Sequence, residues 1–199
     1  MNRRSKVALT LTAALAAGVT FAACSSPGTT VTIASGGRAE LYSSVDELTA
    51  DSSAIAVVTV TGQEVFDRDG TKELGNTYTV SDVDVLQTRA PDALNEARDA
   101  AAHVAPGASI QVRQMGDPSM DLPAPILEVG KSYLLFLVPS GLPGDEAEQF
   151  FITGGTAGYF AAPDRVEARS AGTQSFEKVG DEGDTLPADV TLDQLDNAG

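Results

Sequence analysis

The stretch "TYTVSDVDVLQT", residues 77–88, decides how the chain folds. It holds no glycine or proline and is rich in β-branched side chains, so it predicts one long strand. Its two faces do not sort cleanly. Thr79, Ser81, Val83 and Val85 share one face; Tyr78, Val80, Asp82, Asp84 and Leu86 share the other. Each face mixes polar and apolar residues. The strand is therefore expected to bend, or to carry a bulge where the buried face switches.

Working outward, "AIAVVTVTG" at 54–62 is apolar and β-branched, the pattern of a mostly buried strand. Asp69-Gly70, between the two, is a hairpin-turn dipeptide. Downstream, "APDALNEARDAAAHVAPG" is alanine-rich and helix-compatible, with Asp92 as N-cap and Pro106-Gly107 as its end. "SIQVRQMG" alternates like a strand, and the proline-rich "DPSMDLPAP" reads as a loop. "SYLLFLV" at 132–138 is the strongest strand signal; "QFFITG" and "GYF" predict two more, and "DRVEAR" another. Before them all, Ser44 followed by Glu47 has capping-box spacing and predicts a short helix over 45–50. "TLDQL" predicts a last helical turn.

About five to seven strands with one or two short helices predict a mainly β fold, a small closed or partly closed β-barrel with an OB-like arrangement. The succession of the strand from Thr77, "SIQVRQMG", "GKSYLLFL" and "FFITGGTAGYF" resembles a group of secreted bacterial domains, commonly actinobacterial lipoproteins. The resemblance spans 54–160. It implies a fold more than an activity, because such barrels host unrelated functions.

The N-terminus carries an address. Arg3, Arg4 and Lys6 precede an apolar, alanine-rich run over 7–23, which is a signal-peptide pattern. "FAAC" then ends in Cys24, the chain's single cysteine, and resembles the lipobox of bacterial lipoproteins. Phe21 stands where that family usually has leucine. The resemblance implies acylation of Cys24, with more than one chain needed for stable anchoring. Ordinary secretion, with cleavage after Ala22, is the alternative. The expected organisation is a signal over 1–23, a Ser/Thr/Gly-rich tether over 24–37, a β-barrel domain over 38–170, and an acidic, largely mobile tail over 171–199.

With Cys24 spent on lipid, no thiol remains for a disulfide, a metal or a nucleophile. Charge narrows the partners. The chain has 13 Lys+Arg against 28 Asp+Glu. Three of the basic residues precede Cys24, leaving ten against 28, a formal balance of −18. Nucleic acid, which needs cations against its phosphates, is not an expected partner.

Catalytic sets are sparse. His103 is the chain's single histidine, there is no phosphate-cradling glycine loop of the P-loop type, and no cofactor is implied. Asp67, Asp69 and Glu73 flank a turn and form a calcium-loop candidate, against the simpler reading of a hairpin turn. Arg113 and Gln114 on "SIQVRQMG", with Tyr78 and Tyr133 on neighbouring strands, are the binding candidates. A strand arginine in an acidic protein is expected to pair with carboxylates across the sheet. The expected function is a non-enzymatic binding or interaction module, lipid-anchored on the outer face of the plasma membrane, with a possible envelope protein as partner. A regulator or inhibitor of a secreted enzyme is one alternative; a hydrolase using acidic residues is the other.

Overall fold

A computed structural model describes residues 41–89, 101–180 and 182–195. Cys24, the signal and tether, and most of the alanine-rich segment before His103 lie outside the described residues.

Helix α1 spans Val45–Ala50, as its capping box predicts. Ser44 accepts the Glu47 N–H, while the Glu47 carboxylate accepts the Ser43 N–H and hydroxyl. Eight strands follow among the described residues: β1 Ala54–Asp67, β2 Thr77–Arg89, β3 Ser109–Met115, β4 Ser132–Pro139, β5 Gln149–Ile152, β6 Tyr159–Ala161, β7 Phe176–Lys178 and β8 Asp189–Val190. Helix α2, Leu192–Leu195, is the helical turn expected from "TLDQL". No strand forms at "DRVEAR". Val166 is instead buried in an apolar cluster and a 3-10 turn follows at Ala168–Ser170.

The fold is mainly β. The strands make one sheet in the order β1-β2-β3-β5-β4-β6-β7-β8, and β4 also pairs with β1. β1, β2, β3, β5 and β4 therefore hydrogen-bond in a closed ring of five. Only β3 and β5 run parallel within it. β5 and β6 share one edge of β4: β5 pairs with Leu137–Pro139 and β6 with Tyr133–Leu135. At β6 the sheet leaves the ring and continues outside it.

β2 carries the expected bulge, but it lies at Leu86, beyond the residues whose faces are mixed. Val57 pairs with Gln87 but Val58 pairs with Val85, so Leu86 is the extra residue. Before it, the odd-numbered side chains face the ring's interior, where Val83 and Val85 pack. Leu86 packs on the ring's outside, and beyond it the phase flips, so that Gln87 lies opposite the outward-facing Val57. The polar residues on the inner face are mostly bonded. Thr79 Oγ1 donates to the Gly116 carbonyl at 2.8 Å, and Ser81 Oγ accepts from Gln63 Nε2 at 3.0 Å. A second bulge, at Thr61 of β1, lies between the Val60–Val83 and Gly62–Asp82 pairs.

Two apolar clusters result. One fills the ring, with Ala56, Val58, Val112, Leu135, Leu137 and Phe150 among its members. The other lies outside it: Ile55, Val57, Leu134 and Phe136 point outward from β1 and β4 and meet Leu48 of α1 and the chain's C-terminal part. That part corrects two expectations. Within 171–199, expected to be largely mobile, the described residues supply β7, β8 and α2, and bury Phe176, Val190, Leu192 and Leu195. They also raise the strand number above seven. Gly154, with φ +60°, ties α1's entry to this cluster, since a Cβ there would collide with the Tyr42 ring.

Candidate functional site

The other outward side of the ring, on β1, β2 and β3, is covered only in part, by the β4–β5 connection over the buried Val80 and Arg113. Register places side chains there in two rows. Phe66, Tyr78 and Met115 are cross-strand partners, and so are Glu64, Val80 and Arg113, with Phe151 of β5 next to Arg113. These positions face out because their chain neighbours Thr79, Val112 and Phe150 face in. Met115 is 42% exposed, while Arg113 is only 5% exposed.

Burying a guanidinium is costly unless it is paired. Arg113 Nη1 donates to Glu146 Oε1 at 2.8 Å and to Gln149 Oε1 at 3.2 Å. Its carbon lies 3.5 Å from the centre of the Tyr78 ring, a cation–π contact. Phe66 stacks on Tyr78 with ring centres 5.1 Å apart and planes 11° from parallel. Tyr78 Oη donates to Glu146 Oε1 at 3.3 Å. Arg68, from the β1–β2 connection, stands 4.0 Å from Glu146 Oε2 and 5.4 Å from the centre of the Tyr78 ring.

Glu146 is the hub. It sits on a 3-10 turn, Gly144–Glu148, in the β4–β5 connection. Its main chain is fixed, since the Glu146 carbonyl accepts Ser140 Oγ at 2.6 Å and the Gln149 N–H. The hydrogen bond from Arg113 holds its carboxyl below the usual carboxylate range, with the Tyr78 hydroxyl and Arg68 acting in the same sense. The acid facing Arg113 thus comes from a connection rather than from a neighbouring strand.

The other candidates part company. Gln114 points to the opposite side of β3. Its Oε1 accepts the Leu127 N–H at 2.9 Å and its Nε2 donates to the Pro125 carbonyl at 3.3 Å, so it pins the β3–β4 connection. Tyr133 is buried inside the ring against Tyr159, ring centres 5.3 Å apart, and its Oη accepts the Glu128 N–H. Burial pushes the neighbouring Tyr159 hydroxyl well above its ordinary range.

In the β1–β2 connection, Asp67 accepts the N–H groups of Gly70 and Lys72, and Asp69 accepts the N–H and hydroxyl of Thr71 and the Asn76 amide. These carboxylates are spent on shaping the loop, and those bonds hold Asp69 below the usual carboxylate range. No group of three metal-ligating side chains converges among the described residues. Beside the loop lies an open groove of about 320 Å³, lined by Val65, Asp67, Lys72, Thr77, Asp117 and Pro118. The buried Thr77 hydroxyl has no hydrogen-bond partner there. His103 is exposed and packs its ring on Phe150 at 5.2 Å.

Sequence reasoning reached Arg113 and Tyr78 and missed Glu146, which lies 33 residues from Arg113. Comparison of the chain with family models, with curated proteins and with solved structures returned no match.

Proposed function

We propose that the chain is a lipid-anchored lipoprotein of the outer face of the plasma membrane and a non-enzymatic interaction module. The β domain binds an envelope protein through the outer side of β1, β2 and β3. Support for the anchor is the basic start at Arg3, Arg4 and Lys6, the apolar run after it, and Cys24 at the end of "FAAC".

One observation carries the docking reading: a nearly buried arginine is held on an outward sheet face that is only partly covered, beside the exposed Met115 and the Phe66–Tyr78 stack. Aromatic residues, methionine and arginine are the side chains enriched where proteins bind one another. The ring itself we read as an OB-like barrel. Its five-strand closure with one parallel pair supports that reading. In such barrels the strand 2–3 face and the 1–2 and 4–5 connections form the ligand surface, and here they hold Tyr78, Arg113, Arg68 and Glu146.

Two experiments separate the halves. Incorporation of tritiated palmitate in cells is expected to vanish in Cys24→Ala; continued labelling would overturn the anchor. Affinity capture from envelope extract is expected to recover one protein that Tyr78→Ala no longer retains. Equal recovery by the variant would overturn the docking face.

A further inference from the structure

The Arg113 guanidinium commits only part of its donors. A guanidinium carries five N–H groups in a planar fork. Both hydrogen bonds of Arg113 leave from Nη1. Its Nε and Nη2 are not among the water-shielded, unbonded side-chain atoms of the described residues, which are Ser53 Oγ and Thr77 Oγ1 alone. The Nε–Nη2 edge of the fork therefore makes no hydrogen bond, and it is not among the fully shielded unbonded atoms, on a side chain that is 5% exposed.

Glu146 contacts this fork through one oxygen, while its other oxygen faces Arg68 at 4.0 Å. A monodentate pair leaves the two-bond geometry that guanidinium offers a carboxylate unused. Glu146 is the more displaceable partner: its main chain is held, but its side chain is a third exposed, whereas Arg113 is 5% exposed on a strand.

We infer that Glu146 is a built-in stand-in for a ligand carboxylate: the Arg113 fork, with Tyr78 beneath it, takes the single carboxylate of a partner peptide, which displaces Glu146. This rests on the docking face proposed above and names the chemistry that face selects. The surroundings set the rest of the ligand. Phe66, Tyr78 and Met115 offer apolar surface next to the fork. Glu64, Asp82 and the chain's net charge of −15 repel an acidic run. The preferred segment therefore carries one acidic residue beside an apolar one and is otherwise neutral.

The test uses the purified chain and two blocked dipeptides, N-acetyl-Phe-Glu-amide and N-acetyl-Phe-Gln-amide, with acetate and inorganic phosphate as separate arms. Binding is read from the Arg113 side-chain N–H resonances and from titration calorimetry. The Glu dipeptide is expected to bind at least tenfold more tightly than the Gln dipeptide. Glu146→Gln is expected to strengthen binding of the Glu dipeptide several-fold by removing the competitor. Arg113→Lys, which keeps the charge and loses the fork, is expected to weaken it at least tenfold.

Thermal unfolding of each variant checks that the fold persists, and Glu146→Ala serves if Glu146→Gln is not folded. Equal affinity for the two dipeptides, unchanged affinity in both Glu146 variants, or no binding at all would overturn the inference. Equal affinity with loss on Tyr78→Ala would leave the docking face standing while removing the carboxylate. Phosphate binding as tightly as the Glu dipeptide, with acetate matching it, would show a general anion site and overturn the peptide's role.

Discussion

The ring presents two outward sides, and they were treated in opposite ways. On β1 and β4, Ile55, Val57, Leu134 and Phe136 face out and are sealed beneath α1 and the β7–β8–α2 segment. On β2 and β3, Tyr78, Arg113 and Met115 face out beneath one short connection only. The first side is a second core, and its chemistry is uniform because it has only to exclude water. The second mixes aromatic, cationic and acidic groups, which burial alone does not select. On the reading proposed above, the second is the docking side, and damage on the two sides is then expected to have different symptoms.

The largest expected effect is on the sealed side. Phe176 is fully buried against the ring's exterior. Phe176→Ala should cost about 3–5 kcal/mol of stability in a denaturant titration, with no change in partner capture if the protein is kept folded. A cost under about 1 kcal/mol would mean that the C-terminal segment does not seal the ring.

Next comes the pair on the open side. A double-mutant cycle on Arg113→Met and Glu146→Gln should give a favourable but modest coupling, because Glu146 remains 33% exposed. A coupling near zero would remove Glu146 as the partner that compensates Arg113.

Acid should act in the same direction. The carboxyls of Glu47, Asp69, Asp117 and Glu146 are all held low by hydrogen bonds made in the fold. Their contribution is present above the ordinary carboxylate range of about 4 and is lost as pH falls through the lowered native values. The unfolding midpoint should therefore drop steadily below pH 4. A midpoint that holds constant down to pH 2 would contradict those bonds. In Glu146→Gln the drop should be shallower.

Ser44→Ala, which removes the α1 cap, should cost about 1 kcal/mol, because Leu48 of that short helix is part of the seal. The smallest effect is Lys131→Gln. It breaks an exposed ion pair with Glu128 and should leave the denaturation midpoint unchanged.

What was legible in the sequence follows the range of the interactions. α1 was readable to the residue because its cap is local. The mixed faces of β2 led to the expectation of a bulge, which lies at Leu86; the mixture itself comes from Thr79 and Ser81, buried with hydrogen bonds on the inner face. The sealing segment was not. Phe176, Val190, Leu192 and Leu195 lie irregularly among acids, and local periodicity gives no reason for them to be buried. The clue was in β1, whose uninterrupted apolar run from Ala54 requires cover on both faces. Arg113 and Tyr78 could be singled out by type and spacing. Their partner Glu146 could not, because a folded connection brings it across the sheet. Asp67, Asp69 and Glu73 show the converse: a suggestive spacing of acids, of which the loop uses the Asp67 and Asp69 carboxylates for its own N–H groups, while Glu73 accepts through its main-chain carbonyl.

The claim that the open side is where this protein meets its partner can be tested in place. A photo-crosslinking amino acid would be installed in living cells at Met115, on the open side, and separately at Asp189, on β8 over the sealed side. The expected result is a discrete crosslinked protein from position 115 that is lost with Tyr78→Ala and absent from position 189. Crosslinks from position 189 alone, or the same products from both, would contradict it.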